Sequence, residues 1–377
     1  MNLESIRASV LTIPFNVAFK HASAVRSVSQ TLWVEARTRA GVTGCGEGCP
    51  REYVTVESLE SACGFVEARV DEWLKDVRDL DTLSDWVAGH RDDIDRSPAA
   101  WTAVELALLD LLGKTEGVSV EALLGLPELA GSFRYTAVLG DSSPRQFEGQ
   151  LAHYVNAGFS DFKIKLSGDR TRDLAKVNAL AALGITPQAV RADANNLWGD
   201  AGAAIGDLKA LGFPFSAVEE PLRAGDYAGM RQVASALDTK IILDESLLRQ
   251  DQLALMGEAA DCYIVNLRVS KMGGLLRSLE LLRKLRQRGL PIIVGAHVGE
   301  TSMLTRAALT VANSARDILV AQEGAFGTHL LAHDVVDPPI MFGARGVLDV
   351  VSLPISIASG FGLAYRAAQF EDSRRRQ

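Results

Sequence analysis

Seven ionisable side chains recur in the second half of this 377-residue chain at intervals close to the length of one strand-plus-helix unit. Each follows an apolar run, and they are Lys165, Asp193, Glu219, Asp244, Arg268, His297 and Glu323. Successive members are 28, 26, 25, 24, 29 and 26 residues apart. Charges at the ends of apolar strands lose hydration unless they pair with one another or bind a metal. The spacing therefore predicts one shared site.

Three consecutive members of this series are carboxylates, Asp193, Glu219 and Asp244. Each one alone could cap the helix that follows it, but three that converge repel one another unless a cation lies between them. An all-oxygen ligand set favours Mg²⁺, or Mn²⁺ in its place, over zinc. The trio therefore predicts a site for a hard divalent cation.

Two lysines precede the acids in the run FKIKL, where Lys163 and Lys165 have strand spacing and face the same way. Two close amines in a desolvated site are expected to lower each other's pKa, which would make a neutral lysine available as a base. A metal that binds a substrate carboxylate can stabilise the enediolate formed when the neighbouring carbon loses its proton. The combination predicts proton abstraction α to a carboxylate.

The elements that must position these residues are eight apolar β runs separated by helical stretches. The runs are RYTAVLG, DFKIKL, QAVRADA, SAVEEP, KIILDES, YIVNLRVS, PIIVGAH and ILVAQEG. Several helices end in a glycine before the next run, at Gly158, Gly184, Gly212 and Gly289. This pattern predicts an α/β fold, a (β/α)₈ TIM barrel whose site lies at the carboxyl ends of the strands. A doubly wound open sheet would show a glycine-rich loop after its first strand, and LGDSSP is not one.

The rest of the chain suggests two further parts. Residues 1–130 show strands followed by helices and are expected to form an α+β capping domain, with the barrel at 131–345. Residues 346–377 contain no further strand-plus-helix unit and are expected to return to the capping domain or to the barrel edge.

Composition narrows the class of protein. The chain is 47% hydrophobic and 23% charged with a net charge of -8, and no concentrated basic patch suggests a nucleic-acid partner. We expect no signal peptide, and no apolar run reaches the ~18 residues needed to span a membrane. The cysteines Cys45, Cys49, Cys63 and Cys262 form no zinc-like quartet, so we expect reduced thiols and a cytoplasmic protein.

Five short motifs resemble the enolase superfamily, and specifically its muconate cycloisomerase-like (mandelate racemase/muconate lactonizing enzyme) branch, over essentially the whole chain. They are KIK at 163–165, RADAN around Asp193, VEEP around Glu219, LDES around Asp244 and SKMGG at 270–274. The resemblance implies that the three acids ligate Mg²⁺, that Lys165 is the acid/base, and that Lys163 tunes it or contacts the carboxylate.

The same resemblance implies further roles and partners. Four residues would bind the substrate or support the site, namely Asn195, Glu245, Lys271 and Glu323. Capping-domain loops near His21 and Arg51 would set specificity. The implied substrates are small carboxylates, such as N-acyl amino acids, dipeptides or unsaturated diacids, and such enzymes tend to form homo-oligomers.

Arg268 departs from the family pattern, because the epimerases and cycloisomerases carry a lysine at this point of strand six. Arginine keeps its proton far above physiological pH and is a poor base. By strand parity Lys271 is expected to face away from Arg268 or to begin the loop. His297 ends strand seven, where the mandelate racemase branch has a catalytic histidine, and a guanidinium nearby should keep it neutral.

Several hypotheses follow. The first is racemisation, epimerisation or cycloisomerisation with Lys165 on one face of the substrate and His297 on the other, although His297 could equally be structural. The second is a one-base dehydratase, toward which Arg268 shifts the balance. A non-catalytic binding protein on a decayed barrel is a third. His329, His333 and Asp334 could hold a second metal, but they lie past the barrel.

Overall fold

The computed structural model describes residues 1–21, 24–257, 261–353 and 359–366, without the side chains of residues 17–21 and 24–26. An antiparallel sheet opens the chain in the order β1-β2-β3, with strands Leu3–His21, Ala24–Thr38 and Thr43–Gly48. Six helices follow, α1 Glu52–Thr55, α2 Leu59–Asp76, α3 Leu80–Gly89, α4 Arg91–Arg96, α5 Pro98–Glu116 and α6 Val120–Leu123. Together they form the predicted α+β capping unit, and none of the described helices is long and apolar enough to cross a membrane.

Helix α5 lies at the centre of this unit and is buried along nearly its whole length. Its backbone packs directly against β3, where side chains at Gly44, Gly46 and Gly48 would collide with its carbonyl oxygens. The segment GCGEGC is therefore mostly a strand that is glycine-rich to admit a helix. Cys45 and Cys49 on it are not joined by a disulfide, as expected, and neither are Cys63 and Cys262.

The second part of the chain is an eight-stranded parallel sheet in the order β12-β11-β10-β9-β8-β7-β6-β5. The strands are β5 Ala137–Leu139, β6 Phe162–Lys165, β7 Val190–Asp193, β8 Ala217–Glu219, β9 Lys240–Leu243, β10 Tyr263–Leu267, β11 Ile292–Val294 and β12 Leu319–Gln322. A parallel bridge between Tyr135 and Gln322 joins the first strand's edge to the last. The predicted (β/α)₈ barrel is confirmed.

Helices pack between and around these strands. They are α7 Pro144–Asn156, α8 Arg170–Ala182, α9 Ala201–Ala210, α10 Tyr227–Leu237, α11 Val269–Met272, α12 Leu275–Gln287 and α13 Ser302–Ser314. The four glycines predicted to stop helices have positive φ angles of 83°, 70°, 62° and 67° at Gly158, Gly184, Gly212 and Gly289. Between β9 and β10 the chain forms a 3₁₀ segment, Gln250–Met256. A small antiparallel pair, β4 Ser132–Arg134 and β13 Val347–Asp349, flanks the barrel.

The sixth strand of the barrel, β10, is shorter than the sequence suggested. We expected YIVNLRVS to be one strand with Arg268 inside it, but β10 ends at Leu267 and α11 begins at Val269. Met272 N donates to Arg268 O at 3.0 Å, and the helix ends at Gly273 in the left-handed region, φ 76°. Arg268 is therefore the single residue between β10 and α11, and its side chain can reach the face formed by the carboxyl ends of the strands.

Residues 359–366 connect the two parts of the protein. Val120 N donates to Gly360 O at 2.9 Å on the capping unit, and Arg366 N donates to Val335 O at 2.9 Å after the barrel. The ring of Tyr365 packs edge-on against Trp33 at 5.5 Å.

A buried ion pair stabilises the same junction. Both terminal nitrogens of Arg306 on α13 lie 2.7 Å from the carboxylate oxygens of Glu121 on α6, and Arg306 Nε donates to Phe361 O at 3.0 Å. Arg306→Met would leave the Glu121 carboxylate buried without its partner, so we expect the free energy of unfolding to fall by about 3–5 kcal/mol.

Urea unfolding measures this effect. The matched control is Arg286→Met, which breaks the exposed pair with Asp317 and should cost about 1 kcal/mol or less. Equal losses in the two variants would contradict a dominant role for the buried pair.

Candidate active site

The carboxyl ends of the barrel strands gather the predicted residues into one buried cluster. Asp193 and Glu219 end β7 and β8, and Asp244 follows β9 directly. Lys163 Nζ lies 2.6 Å from Glu219 Oε2 and 3.8 Å from Asp193 Oδ2. Lys165 Nζ lies 3.3 Å from the same Asp193 oxygen. The two lysines and three acids thus meet in one place.

Buried ion pairs offset the charge of the three acids unevenly. Burial raises the pKa of Glu219 to about 8, and Asp193, Glu323 and Asp244 add to the rise against the opposing effect of Lys163. Burial and Asp244 likewise raise the pKa of Glu245, whose Oε2 has no hydrogen-bond partner in the described part of the chain. Buried carboxylate oxygens from three neighbouring strand ends are the ligand type that Mg²⁺ prefers.

Two residues that the sequence did not single out hold these ligands in place. Glu220 accepts the backbone N–H groups of Asp244 and Ser246, both at 2.7 Å, and fixes the loop after β9. Asn266 Nδ2 donates to Glu219 Oε1 at 3.1 Å. Glu220 has a positive φ of 40°, which is costly outside glycine, and its place beside Glu219 in the VEEP motif was the available signal.

Lys163 differs from expectation. We expected neighbouring amines and burial to lower its pKa, but the pKa of Lys163 is raised. Burial does act to lower it, yet Glu219, Glu323 and Asp193 outweigh that effect. The prediction of a neutral amine is therefore wrong for Lys163, because the carboxylates surround it more closely than another cation does.

Lys165 is held differently from its neighbour. Its Nζ donates to Asn195 Oδ1 at 2.8 Å, and Asn195 N in turn donates to Asp193 Oδ1 at 3.1 Å. Asn195 has a positive φ of 46°, a conformation that asparagine adopts more readily than most residues. One amide side chain thus orients the amine beside the acid cluster.

Arg268 and Lys271 converge on Asp244. Arg268 forms an ion pair with Asp244 Oδ2, and Lys271 Nζ lies 2.8 Å from Asp244 Oδ1. Although burial opposes it, the two cations hold the pKa of Asp244 below its ordinary value. Of the two possibilities given for Lys271, facing away from Arg268 is wrong, whereas a position beyond the strand is correct. The strand ends at Leu267, and α11 turns the amine toward Asp244.

Neither cation is arranged as a base. Lys271 is fully buried and donates to Asp244 Oδ1, Asp244 O and Asn266 O, each at 2.8 Å, which uses all three of its protons. The pKa of Arg268 is raised. Burial acts to lower it, but Asp244 and Glu219 favour the charged guanidinium and outweigh burial. Both residues therefore act as fixed positive charges behind the acid cluster.

His297 follows β11 and is 3% exposed. Its Nδ1 lies 3.1 Å from the carbonyl oxygen of Cys49, which can only accept, so Nδ1 carries the proton. Burial, followed by Arg268 and Arg51, holds the pKa of His297 well below its ordinary value. This direction agrees with the expected neutral imidazole, and Nε2 of His297 has no hydrogen-bond partner among the described residues.

The remaining candidates lie at the edges of the cluster. Glu323 Oε2 accepts from Lys163 at 2.9 Å, and its Oε1 lies 4.0 Å from Arg191. Glu323 therefore pairs with Lys163. Arg51 donates to the carbonyls of Gln30, Pro50 and Val298 at 3.0, 2.8 and 2.7 Å, tying the capping unit to the barrel. The side chain of His21 lies outside the described residues.

The histidines past the barrel have structural partners. His329 Nε2 contacts Phe342 O at 3.1 Å and its ring stacks on Phe342, while Asp334 accepts the backbone N–H of Ser302. Among the described residues these side chains do not converge as metal ligands would. A group of that kind is formed instead by Cys49, His297 and Glu300.

Two family profiles match this chain. Residues 5–125 match the mandelate racemase/muconate lactonizing enzyme N-terminal domain, and residues 146–367 match the enolase C-terminal domain-like family. Together they cover most of the capping unit and of the barrel, which are the two parts that form the site.

Characterised relatives span nearly the same length. The chain is 27% identical to an L-Lys-D/L-Arg epimerase of Methylococcus capsulatus, covering 94% of this chain and 96% of that protein. It is 26% identical to an N-succinyl-L-Arg/Lys racemase of Bacillus cereus, covering 84% and 86%. The structure of the dipeptide epimerase from Methylococcus capsulatus with Mg and L-Arg-D-Lys matches with a TM-score of 0.80, 25% identity and coverage of 97% and 100%.

These relatives are racemases and epimerases, and the presence of Mg in a neighbouring structure supports Mg²⁺ as the cofactor. This protein is accordingly an isomerase of the racemase/epimerase type. The profile matches over both of its parts show that the chain belongs to the enolase superfamily, in the mandelate racemase/muconate lactonizing enzyme family.

Proposed function

We propose that this protein is a Mg²⁺-dependent racemase or epimerase that moves the proton α to the carboxylate of a small amino-acid derivative. The observation that carries the proposal is the placement of Lys165 Nζ, 3.3 Å from one member of a buried carboxylate trio. A base beside a hard-cation site is the arrangement that this chemistry requires.

Each residue of the cluster has a role in this proposal. Asp193, Glu219 and Asp244 hold Mg²⁺, which when bound stabilises the negative charge that builds up on the substrate carboxylate. Lys165 removes or returns the α-proton, and Asn195 orients its amine at 2.8 Å. Lys163 stays protonated between Glu219 and Glu323 and adds positive charge near the carboxylate.

Inversion needs a second group on the opposite face of the substrate, and we assign it to His297. Arg268 stands where the family resemblance implies a lysine, and its raised pKa excludes it as a base. His297 is neutral, its Nδ1 proton is held by Cys49 O, and its Nε2 lone pair has no partner in the part of the chain that the structure describes. This is the protonation state that a general base needs.

We infer the substrate class from the two reported relatives that act on Arg and Lys derivatives, and from a cleft on the capping unit. The cleft, about 340 Å³, has among its lining residues Arg51, Glu52 and Glu57. Arg51 donates to three carbonyl oxygens, and Glu57 accepts from the N–H groups of Ala99 and Ala100. The exposed carboxylate of Glu52 is therefore the charge that this cleft offers to a substrate. This supports a dipeptide or N-acyl amino acid with a cationic side chain over an unsaturated diacid.

The proposal is tested with matched L- and D-configured N-acyl lysine, N-acyl glutamate and dipeptide substrates in D₂O with Mg²⁺. We expect inversion with α-deuteration, favouring the lysine derivatives. An unsaturated or keto product would instead establish the one-base dehydratase that Arg268 also suggests. A protein that neither deuterates any member nor binds Mg²⁺ would match a non-catalytic barrel.

His297→Asn tests the second face. The variant should still exchange the α-proton of substrates in one configuration through Lys165, while inversion falls about 10²–10⁴-fold. His329→Asn is the matched control, because His329 packs on Phe342 away from the strand ends. Inversion by His297→Asn at the wild-type rate would remove this residue from the mechanism.

A further inference from the structure

A second group of ligand-type side chains lies between the capping unit and the barrel. Cys49, His297 and Glu300 place a sulfur, a ring nitrogen and a carboxylate oxygen within 4.8 Å of one another. Atoms bound to one tetrahedral zinc at ~2.0–2.3 Å lie roughly 3.3–3.8 Å apart, so small side-chain movements would bring the three to bonding distance.

The backbone around this group is fixed from both sides. Cys49 follows β3, and its N–H donates to Ser270 Oγ on α11 at 2.8 Å. His297 and Glu300 share one turn after β11, in which His297 N donates to Glu300 Oε1 at 2.7 Å and Glu300 N to His297 O at 3.3 Å. The three ligands therefore come from two structural units that are already docked.

An independent observation points to a missing ligand. The side chain of His297 is buried, with 3% exposure, and its Nε2 has no hydrogen-bond partner among the residues described. A buried polar atom without a partner costs free energy, and a bound ion is one arrangement that satisfies such an atom in native structures. A lone-pair nitrogen can be satisfied by a proton donor or by a metal ion.

The chemistry of the donors selects the metal. A thiolate and an imidazole favour zinc, whereas the oxygen trio Asp193, Glu219 and Asp244 favours Mg²⁺. Arg51 and Arg268 place positive charge near His297, and two anionic ligands, a thiolate and a carboxylate, would offset it. We propose that Cys49, His297 and Glu300 form a Zn²⁺ site distinct from the Mg²⁺ site.

This site would regulate the enzyme. A zinc ion bound to His297 removes its lone pair from proton transfer, so Zn²⁺ would inhibit inversion in the presence of saturating Mg²⁺. This consequence rests on the proposed function, whereas zinc binding itself does not. Binding is therefore measured directly, so that a failure of either idea is recognised separately.

The test is a titration of the Mg²⁺-saturated protein with Co²⁺, a spectroscopic substitute for Zn²⁺. We expect a thiolate-to-cobalt charge-transfer band that saturates at one equivalent and is displaced by Zn²⁺. Cys49→Ser should abolish the band, while Cys63→Ser, on helix α2, should keep it. Absence of the band in the wild type, or its survival in Cys49→Ser, would overturn the site.

Glu300→Gln keeps the test decisive if Cys49→Ser does not fold. It should retain the thiolate band but weaken Co²⁺ affinity by at least about tenfold. Unchanged affinity in this variant would contradict the proposed ligand set. Glu219→Gln should leave the band intact, because its carboxylate belongs to the oxygen cluster. A band in a protein without racemase activity would uphold the zinc site and reject the proposed function.

Discussion

Replacing Lys165 with alanine is expected to lower the rate of inversion about 10²–10⁴-fold, the usual contribution of a positioned acid or base. The amine lies 3.3 Å from Asp193 and is oriented by Asn195, and we find no other lysine so placed among the described residues of the cluster. Lys163 is committed to Glu219 and Glu323, and Lys271 to Asp244. Neither can replace it.

The measurement is inversion and α-deuteration in D₂O, together with Mg²⁺ affinity by calorimetry. Affinity should change little, because Lys165 is not a ligand. The matched control is Lys209→Ala on the exposed side of α9, which should behave as the wild type. An alanine variant that inverts substrate at the normal rate would show that the base lies elsewhere.

Glu219→Gln is expected to have the second large effect. Glu219 lies at the centre of the cluster, 2.6 Å from Lys163 and 3.1 Å from Asn266, and its side chain is 2% exposed. An amide has the same shape but no charge, so Mg²⁺ should bind much more weakly. Loss of several kcal/mol of charge stabilisation corresponds to ~10³-fold or more in turnover.

Calorimetric Mg²⁺ binding and turnover at saturating Mg²⁺ test this variant together. Glu128→Gln, an exposed position outside the site, is the control and should match the wild type in both. Mg²⁺ affinity and turnover within about twofold of the wild type would be incompatible with Glu219 as a ligand, because coordination to a hard cation depends on the charge of the donor.

The fold could be predicted because the sequence repeats its signals. Apolar runs, helices and left-handed glycines such as Gly158 and Gly212 recur in register, and each unit independently favours the same barrel. The site followed from that periodicity, since the ends of parallel strands must meet at one face. The family motifs then limited the chemistry to few reactions.

What the sequence could not provide was local geometry at the strand ends. Lys271 was assigned by strand parity, but the chain leaves β10 at Leu267 and the short helix α11 directs Lys271 to Asp244. The pKa of Lys163 depends on how closely Glu219 and Glu323 approach, which residue spacing does not reveal.

Contacts between the capping unit and the barrel also could not be predicted from the sequence. The proton on His297 Nδ1 is set by the carbonyl of Cys49, which is 248 residues away along the chain. Every residue type carries a backbone carbonyl, so the sequence does not reveal this contact. The capping unit thus fixes the tautomer of a barrel residue, a coupling that only the folded structure shows.

The central claim is that Lys165 and His297 exchange a proton at the α-carbon on opposite faces, with Mg²⁺ held by Asp193, Glu219 and Asp244. The most direct test follows a single enantiomer of an N-acyl lysine in D₂O with and without Mg²⁺, by mass and chiral chromatography. We predict that inverted product forms only with Mg²⁺ and carries one deuterium at the α-carbon from its first appearance. Inverted product that retains the original proton, or that forms equally well after Mg²⁺ is chelated, would contradict the account.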